Sequence, residues 1–211
     1  MNKALNLRVV ARQPQQQRGH TRVEQVLAEA EAMLREGGIE AFSIPALAER
    51  LGFTRTSIYK FFPTPYAILN TLAEQHLTAL ETSLGEQAAR LRLPRWEDTV
   101  AMIVRSGASY YDRHPVACKL ILGGPVSDAS YRAFEFTVTR LGGLARDILL
   151  AHGVTVPEGS PDLPALAVEF GTGCFRMSYF LHGRITEPYI QAAEDVMLTF
   201  LRSRLIAAAN G

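Results

Sequence analysis

Residues 43–65 (SIPALAERLGFTRTSIYKFFPTP) contain two helix starts and two helix stops in close succession. Ser43 and Thr54 are residue types whose side chains cap the first turn of a helix. Gly52 favours the left-handed conformation that ends a helix, and Pro63 cannot continue one. The spacing therefore predicts two short helices joined by a tight turn, which is a helix-turn-helix.

The second of these helices has one polar and one apolar face. Its polar residues are Arg55, Thr56, Ser57, Tyr59 and Lys60, and its apolar residues are Ile58, Phe61 and Phe62. A DNA major groove is ~12 Å wide and displays the edges of the bases, which suits a thin helix with hydrogen-bond donors at its N-terminal end. The apolar face would then hold the helix on the rest of its domain.

We therefore predict that this segment binds DNA. Arg55 is the candidate for a forked pair of hydrogen bonds to a guanine. The start of the next helix, at Thr64 and Pro65, offers free amides to a phosphate. The full set of predicted DNA-binding residues is Arg22, Ser43, Thr54, Arg55, Thr56, Ser57, Tyr59, Lys60 and Thr64.

Positive charge is concentrated at the start of the chain. Residues 1–22 have five basic side chains and no acidic one. Residues 1–62 have nine basic and six acidic residues, a net +3, so the rest of the chain carries −2 of the total of +1. This asymmetry favours a polyanionic partner at the N-terminal end. Residues 1–19 are predicted to be a flexible basic arm, which either contacts DNA or is a solvated tail.

The rest of the sequence has helical patterns. A capping box at Thr21 predicts the start of the first helix, and Gly37-Gly38 predicts its end. A long helix follows Pro65, and others are predicted near residues 95–113, 115–122, 128–151, 163–182 and 187–208. No segment alternates as a strand does. The predicted fold is all-α with about nine helices, a three-helix helix-turn-helix domain at residues 20–66 and a second helical domain at residues 67–211.

The composition narrows the class of protein. A hydrophobic fraction of 47% and a charged fraction of 20% are typical of a globular chain that needs neither disulfides nor metals to fold. Cys118 and Cys174 have no CxxC partner, and we expect two reduced thiols rather than a disulfide. No apolar run is long enough for a signal peptide or a membrane helix. We expect a cytoplasmic protein without cofactor or metal.

A catalytic alternative would combine a cysteine with a histidine. The candidates are Cys118, Cys174, His114, His152 and His182. However, the sequence has no nucleophile elbow, no Ser-His-Asp order and no glycine-rich phosphate loop. The glycines that follow His152 and His182 instead favour helix C-termini. We therefore predict no enzymatic activity.

The segment IEAFSIPALAERLGFTRTSIYKFFPTPYAIL resembles the N-terminal domain of the TetR family of bacterial transcriptional regulators. The matching positions are Gly38, Phe42, Ser43, Leu47, Ala48, Leu51, Gly52, Phe53, Thr54, Tyr59, Phe61 and Phe62. Two positions depart from the family pattern. Pro65 stands where a phosphate-contacting lysine is common, and Thr56 stands where glycine or proline is common. The resemblance covers about residues 20–70.

The resemblance implies that the C-terminal helices form a homodimer and bind a small-molecule effector. Residues predicted at the dimer interface are Gly171, Ser178, Ala193, Val196, Met197 and Phe200. Alternatively, the last two helices fill the core of a monomer. Residues predicted to bind the effector are Tyr110, His114, Phe134, Phe175, Arg176 and Tyr179. Arg176 interrupts an apolar helix, and its partner is either an internal acid such as Glu135 or Asp147 or an anionic effector.

Two functions remain from this reasoning. The first is a regulator, most simply a repressor, that binds a palindromic DNA operator as a dimer and is released by an effector. The alternative is a protein-protein adaptor that retains the helix-turn-helix but does not bind specific DNA. Only Pro65 favours the adaptor.

Overall fold

The computed structural model describes residues 17–123 and 128–209, and the side chains of residues 19–123 and 138–205. Over these ranges the chain forms nine α-helices, one π-helical turn and no strand, as predicted. The helices are α1 (Gln17–Gly37), α2 (Ile44–Leu51), α3 (Arg55–Tyr59), α4 (Pro65–Leu91), α5 (Trp96–Arg113), α6 (Pro115–Ala117), α7 (Asp128–Ala151), α8 (Leu163–His182) and α9 (Glu187–Ala209). The π-helical turn (Cys118–Leu122) directly follows α6.

Local capping residues set the ends of the short helices. The Ser43 hydroxyl accepts a hydrogen bond from the Ala46 amide at the start of α2. Gly52 ends α2 with a φ of 64°, a left-handed conformation that costs a glycine little. Thr64 caps α4 by accepting a hydrogen bond from the amide of Ala67. These predictions from single residues are confirmed because each cap depends on a contact within a few residues.

The start of α1 differs from the prediction. The helix begins at Gln17, so Thr21 lies inside it and does not cap it. Residues 17–20 therefore extend the helix by about one turn into the segment that was predicted as a flexible arm. A capping box identifies a possible start, but it cannot prevent the preceding residues from continuing the helix.

The chain has two hydrophobic cores, and α4 contributes to both. The first core joins α1, α2, α3 and the start of α4, and it includes Ile58, Phe62 and Leu72. The second core joins the far half of α4, at Leu80 and Leu84, to α5, α7, α8 and α9. The first core thus extends beyond the predicted domain boundary at residue 66. A single rigid helix passes from one domain into the other.

A second connection between the domains is made by α6 and the π-helical turn. The Val116 side chain on α6 is buried in the N-terminal core, whereas Cys118 and Ile121 pack in the C-terminal core. The Lys119 ammonium donates a hydrogen bond to the carbonyl oxygen of Leu34, near the end of α1, at 3.1 Å. The position of α1 is therefore tied directly to the C-terminal domain.

Candidate DNA-binding and ligand sites

The helix α3 presents its polar residues to solvent. We call it the recognition helix because the sequence predicts that it reads DNA. Arg55, Thr56 and Lys60 are exposed, and Tyr59 is 43% exposed. On the opposite side, Ile58 and the following Phe62 are completely buried in the N-terminal core, which confirms the predicted apolar face. The helix is therefore held from behind while its N-terminal donors face outward.

The hydroxyl groups around α3 are used for local structure. Thr54 accepts a hydrogen bond from the Ser57 amide at 3.3 Å, and the Ser57 hydroxyl donates to the Thr54 carbonyl oxygen at 2.7 Å. These two bonds fix the first turn of a helix only five residues long. Arg55 is the longest side chain on this first turn, and it is exposed.

Arg22 lies beside the recognition helix although it is distant in sequence. It is exposed on α1, and its guanidinium carbon is 5.5 Å from the centre of the Phe53 ring, just before α3. Such a cation–π contact positions the charge without neutralising it. The structure therefore brings this predicted DNA-binding residue close to the turn of the helix-turn-helix.

Another arginine of the same domain serves a structural role. Arg50 on α2 forms ion pairs with Glu29 and Glu36 of α1. Its hydrogen bond to Glu36 lowers the pKa of that carboxyl group. Because the charge of Arg50 is balanced within the domain, the positive face near α3 consists of Arg22, Arg55 and Lys60.

An apolar cavity lies in the C-terminal domain, between α4, α5, α7, α8 and α9. It encloses about 760 Å³ of empty space, its solvent-facing mouth included. Among the described residues, its walls are almost entirely aliphatic and aromatic, with hydroxyls from Tyr111 and Thr172. Gly107 leaves room opposite Phe175, because a β-carbon there would be 3.8 Å from that ring. The almost wholly apolar lining is typical of a site for an apolar small molecule.

The predicted effector-binding residues do not converge on this cavity. Of the six, Phe175 lines it. Tyr110 points instead towards α4, where its hydroxyl donates to the His76 carbonyl oxygen at 3.1 Å, and His114 stacks on Tyr110 at 4.3 Å between ring centres. The neighbouring Tyr111, which sequence reasoning did not select, forms the cavity wall. The side chain of Phe134 lies outside the described residues.

Arg176 and Tyr179 lie outside the apolar cavity. Arg176 is 3.5 Å from the carboxylate of Glu169, two turns earlier on the same helix. Glu169 was not among the predicted partners, and the side chain of Glu135 lies outside the described residues. Tyr179 lines a second pocket, separate from the apolar cavity, together with Lys119 and Arg184.

The predicted dimer interface needs correction. Gly171, Ser178, Ala193 and Met197 are all buried within the protomer. A β-carbon at Gly171 would be 2.4 Å from the Met197 sulfur, so this glycine allows α8 and α9 of one chain to approach each other. The Ser178 hydroxyl forms hydrogen bonds with the backbone of the loop between α8 and α9. The other two predicted residues, Val196 and Phe200, are more accessible to solvent than these four.

An exposed apolar stripe runs along α8 instead. Phe170 is 40% exposed, Met177 55%, Phe180 77% and Leu181 61%. Their spacing places them on one face of the helix, and Phe200 of α9 continues that face by packing edge-on against Phe170 at 5.0 Å. The sequence shows that this helix is apolar, but only the packing of α8 shows which of its faces remains uncovered.

The cysteines and histidines are engaged in packing. Burial raises the pKa of Cys118 to about 12 and also raises the pKa of Cys174, so both thiols are protonated near neutral pH and are poor nucleophiles. His152 follows α7, as predicted, and its ring contacts the Leu93 carbonyl oxygen at 3.0 Å. Among the described residues, no three metal-ligating side chains are clustered. None of the helices described is both long and apolar enough to span a membrane.

The fold and the exposed recognition helix define a helix-turn-helix protein with an all-helical C-terminal domain. Residues 26–72 match the family model described as bacterial regulatory proteins, tetR family. The N-terminal segment is therefore similar to the DNA-binding domains of that family, and the resemblance noted in the sequence is confirmed. No curated protein matches the chain by sequence.

Solved structures share the fold over most of the chain. A TetR-family transcriptional regulator from Streptomyces coelicolor has a TM-score of 0.69 and 20% identity, with 89% of this chain and 99% of that chain covered. Thermus thermophilus FadR, a TetR-family repressor in complex with lauroyl-CoA, has a TM-score of 0.66 and 17% identity, with coverages of 85% and 93%. SmeT, the repressor of the Stenotrophomonas maltophilia efflux pump SmeDEF, has a TM-score of 0.59 and 17% identity, with coverages of 86% and 89%. The chain thus has the fold of TetR-family transcriptional regulators over both domains.

Proposed function

We propose that this protein is a sequence-specific DNA-binding regulator, a repressor that is released from its operator by a small molecule. The observation that carries the proposal is the outward face of α3. Arg55, Thr56 and Lys60 are solvent-exposed on a helix whose back is fixed by Ile58 and Phe62. A narrow helix held in this way can enter a major groove without reorganising its domain.

The proposed regulator acts as a homodimer. One recognition helix of five residues contacts few base pairs, whereas two copies related by two-fold symmetry read a palindrome. The exposed apolar stripe of α8, continued by Val196 and Phe200 on α9, supports this assembly. An isologous contact would bury the same stripe from both protomers.

The effector of this regulator has an apolar body that enters the cavity lined by Tyr111 and Phe175. Its walls offer few hydrogen bonds, so affinity comes mainly from removing apolar surface from water. The lauroyl-CoA bound by the T. thermophilus repressor has such a body in its acyl chain. Because α4 spans both cores and α6 reaches the N-terminal core, a shift of these helices on binding would alter the separation of the two recognition helices.

The DNA-binding proposal is tested by a mobility-shift titration. The probe is the DNA upstream of the protein's own coding region, or an operator from random-sequence selection, with excess nonspecific competitor. Arg55→Ala should weaken binding by about 1–3 kcal/mol and relax base preference, and Lys60→Ala should weaken binding to all sequences and reduce the salt slope by about 1. The matched control is Arg90→Ala, an exposed arginine at the far end of α4.

The outcomes separate the two readings of the motif. Competitor-resistant binding that Arg55→Ala weakens and Arg90→Ala does not supports a sequence-reading regulator. If Arg55→Ala and Arg90→Ala bind alike, α3 is not the reading element. If no selected sequence binds above competitor, the proposal is wrong and the adaptor function takes its place.

The effector proposal is tested separately with Gly107→Leu. The added side chain fills the cavity opposite Phe175, and a helical glycine is replaced by a better helix former. We expect the variant to bind operator but to be insensitive to the effector that releases the wild-type protein. Continued release of Gly107→Leu by that effector would place the ligand elsewhere.

A further inference from the structure

A second pocket lies in the C-terminal domain, beside the π-helical turn whose Lys119 contacts α1 of the N-terminal domain. It has about 500 Å³ of empty space, its open side included. Its walls are the end of α5, the π-helical turn and the loop between α8 and α9, and the lining residues are Tyr111, Asp112, Pro115, Cys118, Lys119, Tyr179, Gly183, Arg184 and Ile185. We call it the junction pocket.

The junction pocket has two cations. Lys119 is half-buried, and its one hydrogen bond within the described residues is to the neutral Leu34 carbonyl oxygen. Neither Lys119 nor Arg184 has an ion-pair partner in the part of the chain that the structure describes. Asp112 also borders the pocket, but it is exposed and pairs with neither of them. A partly buried ammonium with no carboxylate partner favours an anion beside it.

The remaining wall suits an apolar or aromatic body. Tyr111, Tyr179, Pro115 and Ile185 present rings and aliphatic surface. A tyrosine hydroxyl is protonated at physiological pH, and burial raises the pKa of Tyr179 further, so this group can donate a hydrogen bond. Size, charge and lining together describe a site for a small carboxylate that has a ring or a short apolar chain.

The wall that contains Arg184 is held in place before any ligand binds. The Ser178 hydroxyl donates to the Arg184 carbonyl oxygen at 3.0 Å and accepts from the Thr186 amide at 2.9 Å. Ser178 itself is fully buried on α8. The loop between α8 and α9 is therefore preorganised, which lowers the entropic cost of binding against it.

We propose that the junction pocket binds a small apolar or aromatic carboxylate, held by Lys119 and Arg184, which competes with the Leu34 carbonyl oxygen for the Lys119 ammonium. A charge-assisted hydrogen bond to a carboxylate is stronger than one to a neutral carbonyl, so the occupant draws Lys119 from the end of α1. The Leu34 oxygen then keeps its other donor, the amide of Gly38, at 3.1 Å.

This competition connects the junction pocket with the recognition helix. The Lys119 ammonium, in the C-terminal domain, donates a hydrogen bond directly to the Leu34 carbonyl oxygen of α1. The same helix α1 holds α2 through the Arg50 ion pairs and places Arg22 against Phe53. Weakening the contact at Leu34 therefore loosens α1, and with it the helix-turn-helix, from the C-terminal domain. This regulatory consequence rests on the proposed DNA-binding function, whereas the binding site does not.

Calorimetry with benzoate tests the site directly, and neutral benzamide serves as the matched probe of the same shape. We expect the full-length protein to bind benzoate in preference to benzamide by at least about tenfold, the difference of about 1.4 kcal/mol that one charge-assisted hydrogen bond supplies. Lys119→Met and Arg184→Gln should each reduce this preference by about the same factor. Arg92→Gln, which removes an exposed arginine at the end of α4, should retain it.

The carbonyl ¹³C resonance of Leu34 locates the bound probe. Benzoate should move this resonance in the wild-type protein towards its position in Lys119→Met. Arg184→Gln keeps the Lys119 contact and is exposed, so it tests the site even if Lys119→Met folds poorly.

The outcomes of this test are independent of DNA. Equal binding of benzoate and benzamide, or a benzoate preference that Arg184→Gln leaves undiminished, would overturn the proposed site. A Leu34 resonance that stays in place while benzoate binds would overturn the competition for Lys119. If benzoate binds as expected but operator affinity is absent altogether, the proposed site stands and the proposed DNA-binding function fails.

Discussion

Met177→Glu is the sharpest perturbation of the proposed dimer. Met177 lies in the middle of the exposed apolar stripe on α8, and 55% of its surface is accessible in the protomer. A substitution there removes no core contact, so the protomer should fold normally. In a two-fold dimer, however, the same residue occurs twice and a glutamate would be buried on each side.

The size of the effect follows from the apolar surface. Burying a fully exposed methionine side chain contributes about 1.5–3 kcal/mol, and 55% of Met177 is still available for burial, so losing this contribution on both protomers costs about 1.7–3.3 kcal/mol before the charge is considered. That is about 15–250-fold in the dimer dissociation constant. We therefore expect the variant to be monomeric at concentrations where the wild-type protein is dimeric.

Sedimentation velocity over a dilution series measures this change, and circular dichroism confirms the helical fold. The matched control is Leu150→Glu, which changes an equally exposed leucine (52%) on α7, outside the stripe. A dimer that survives Met177→Glu would refute the α8 interface. Equal dissociation by Leu150→Glu would mean that the charge acts generally rather than at this face.

Three further predictions concern stability and reactivity. Phe62→Ala should lower the free energy of unfolding by about 3–5 kcal/mol in urea titrations, because the ring is completely buried behind α3; a loss below about 1 kcal/mol would contradict this. Thr54→Ala removes the cap of α3 and should cost about 1 kcal/mol and weaken DNA binding, whereas Thr54→Ser should retain both. Burial raises the pKa of Cys118 from 9.0 to about 12, so the folded chain keeps this proton while the unfolded chain loses it. Stability should therefore be unaffected by this group below about pH 9 and fall as the pH rises towards 12, less steeply in Cys118→Ala; identical slopes would contradict the assignment.

Much of the helix-turn-helix could be predicted from sequence because its determinants are local. Ser43, Gly52 and Thr54 act on residues within one helical turn, and the apolar face of α3 is recognisable from the spacing of Ile58 and Phe62. Thr21 shows the weakness of the same method. A local signal of a helix start does not decide whether the residues before it also adopt the helical conformation.

Which residues line the apolar cavity of the C-terminal domain depends on how its helices pack, and the spacing of residues in the sequence does not specify that packing. Tyr110 and Tyr111 are adjacent on α5 and equally plausible as ligand contacts, but successive helical residues point about 100° apart. The orientation of α5 sends Tyr111 into the apolar cavity and Tyr110 towards His76. The predicted effector-binding residues were chosen for their chemical type, and the structure therefore places some at the apolar cavity and others outside it.

The sequence by itself determined the all-α class, the ends of the short helices and the polar face of α3, because these depend on capping and periodicity within a few residues. Only the tertiary structure decided which apolar face of α8 is covered by α9 and which remains exposed. It also placed Val116 in the N-terminal core and Lys119 on the Leu34 carbonyl oxygen. These contacts join residues far apart in the chain, so they depend on how rigid helices pack against each other and not on any local pattern.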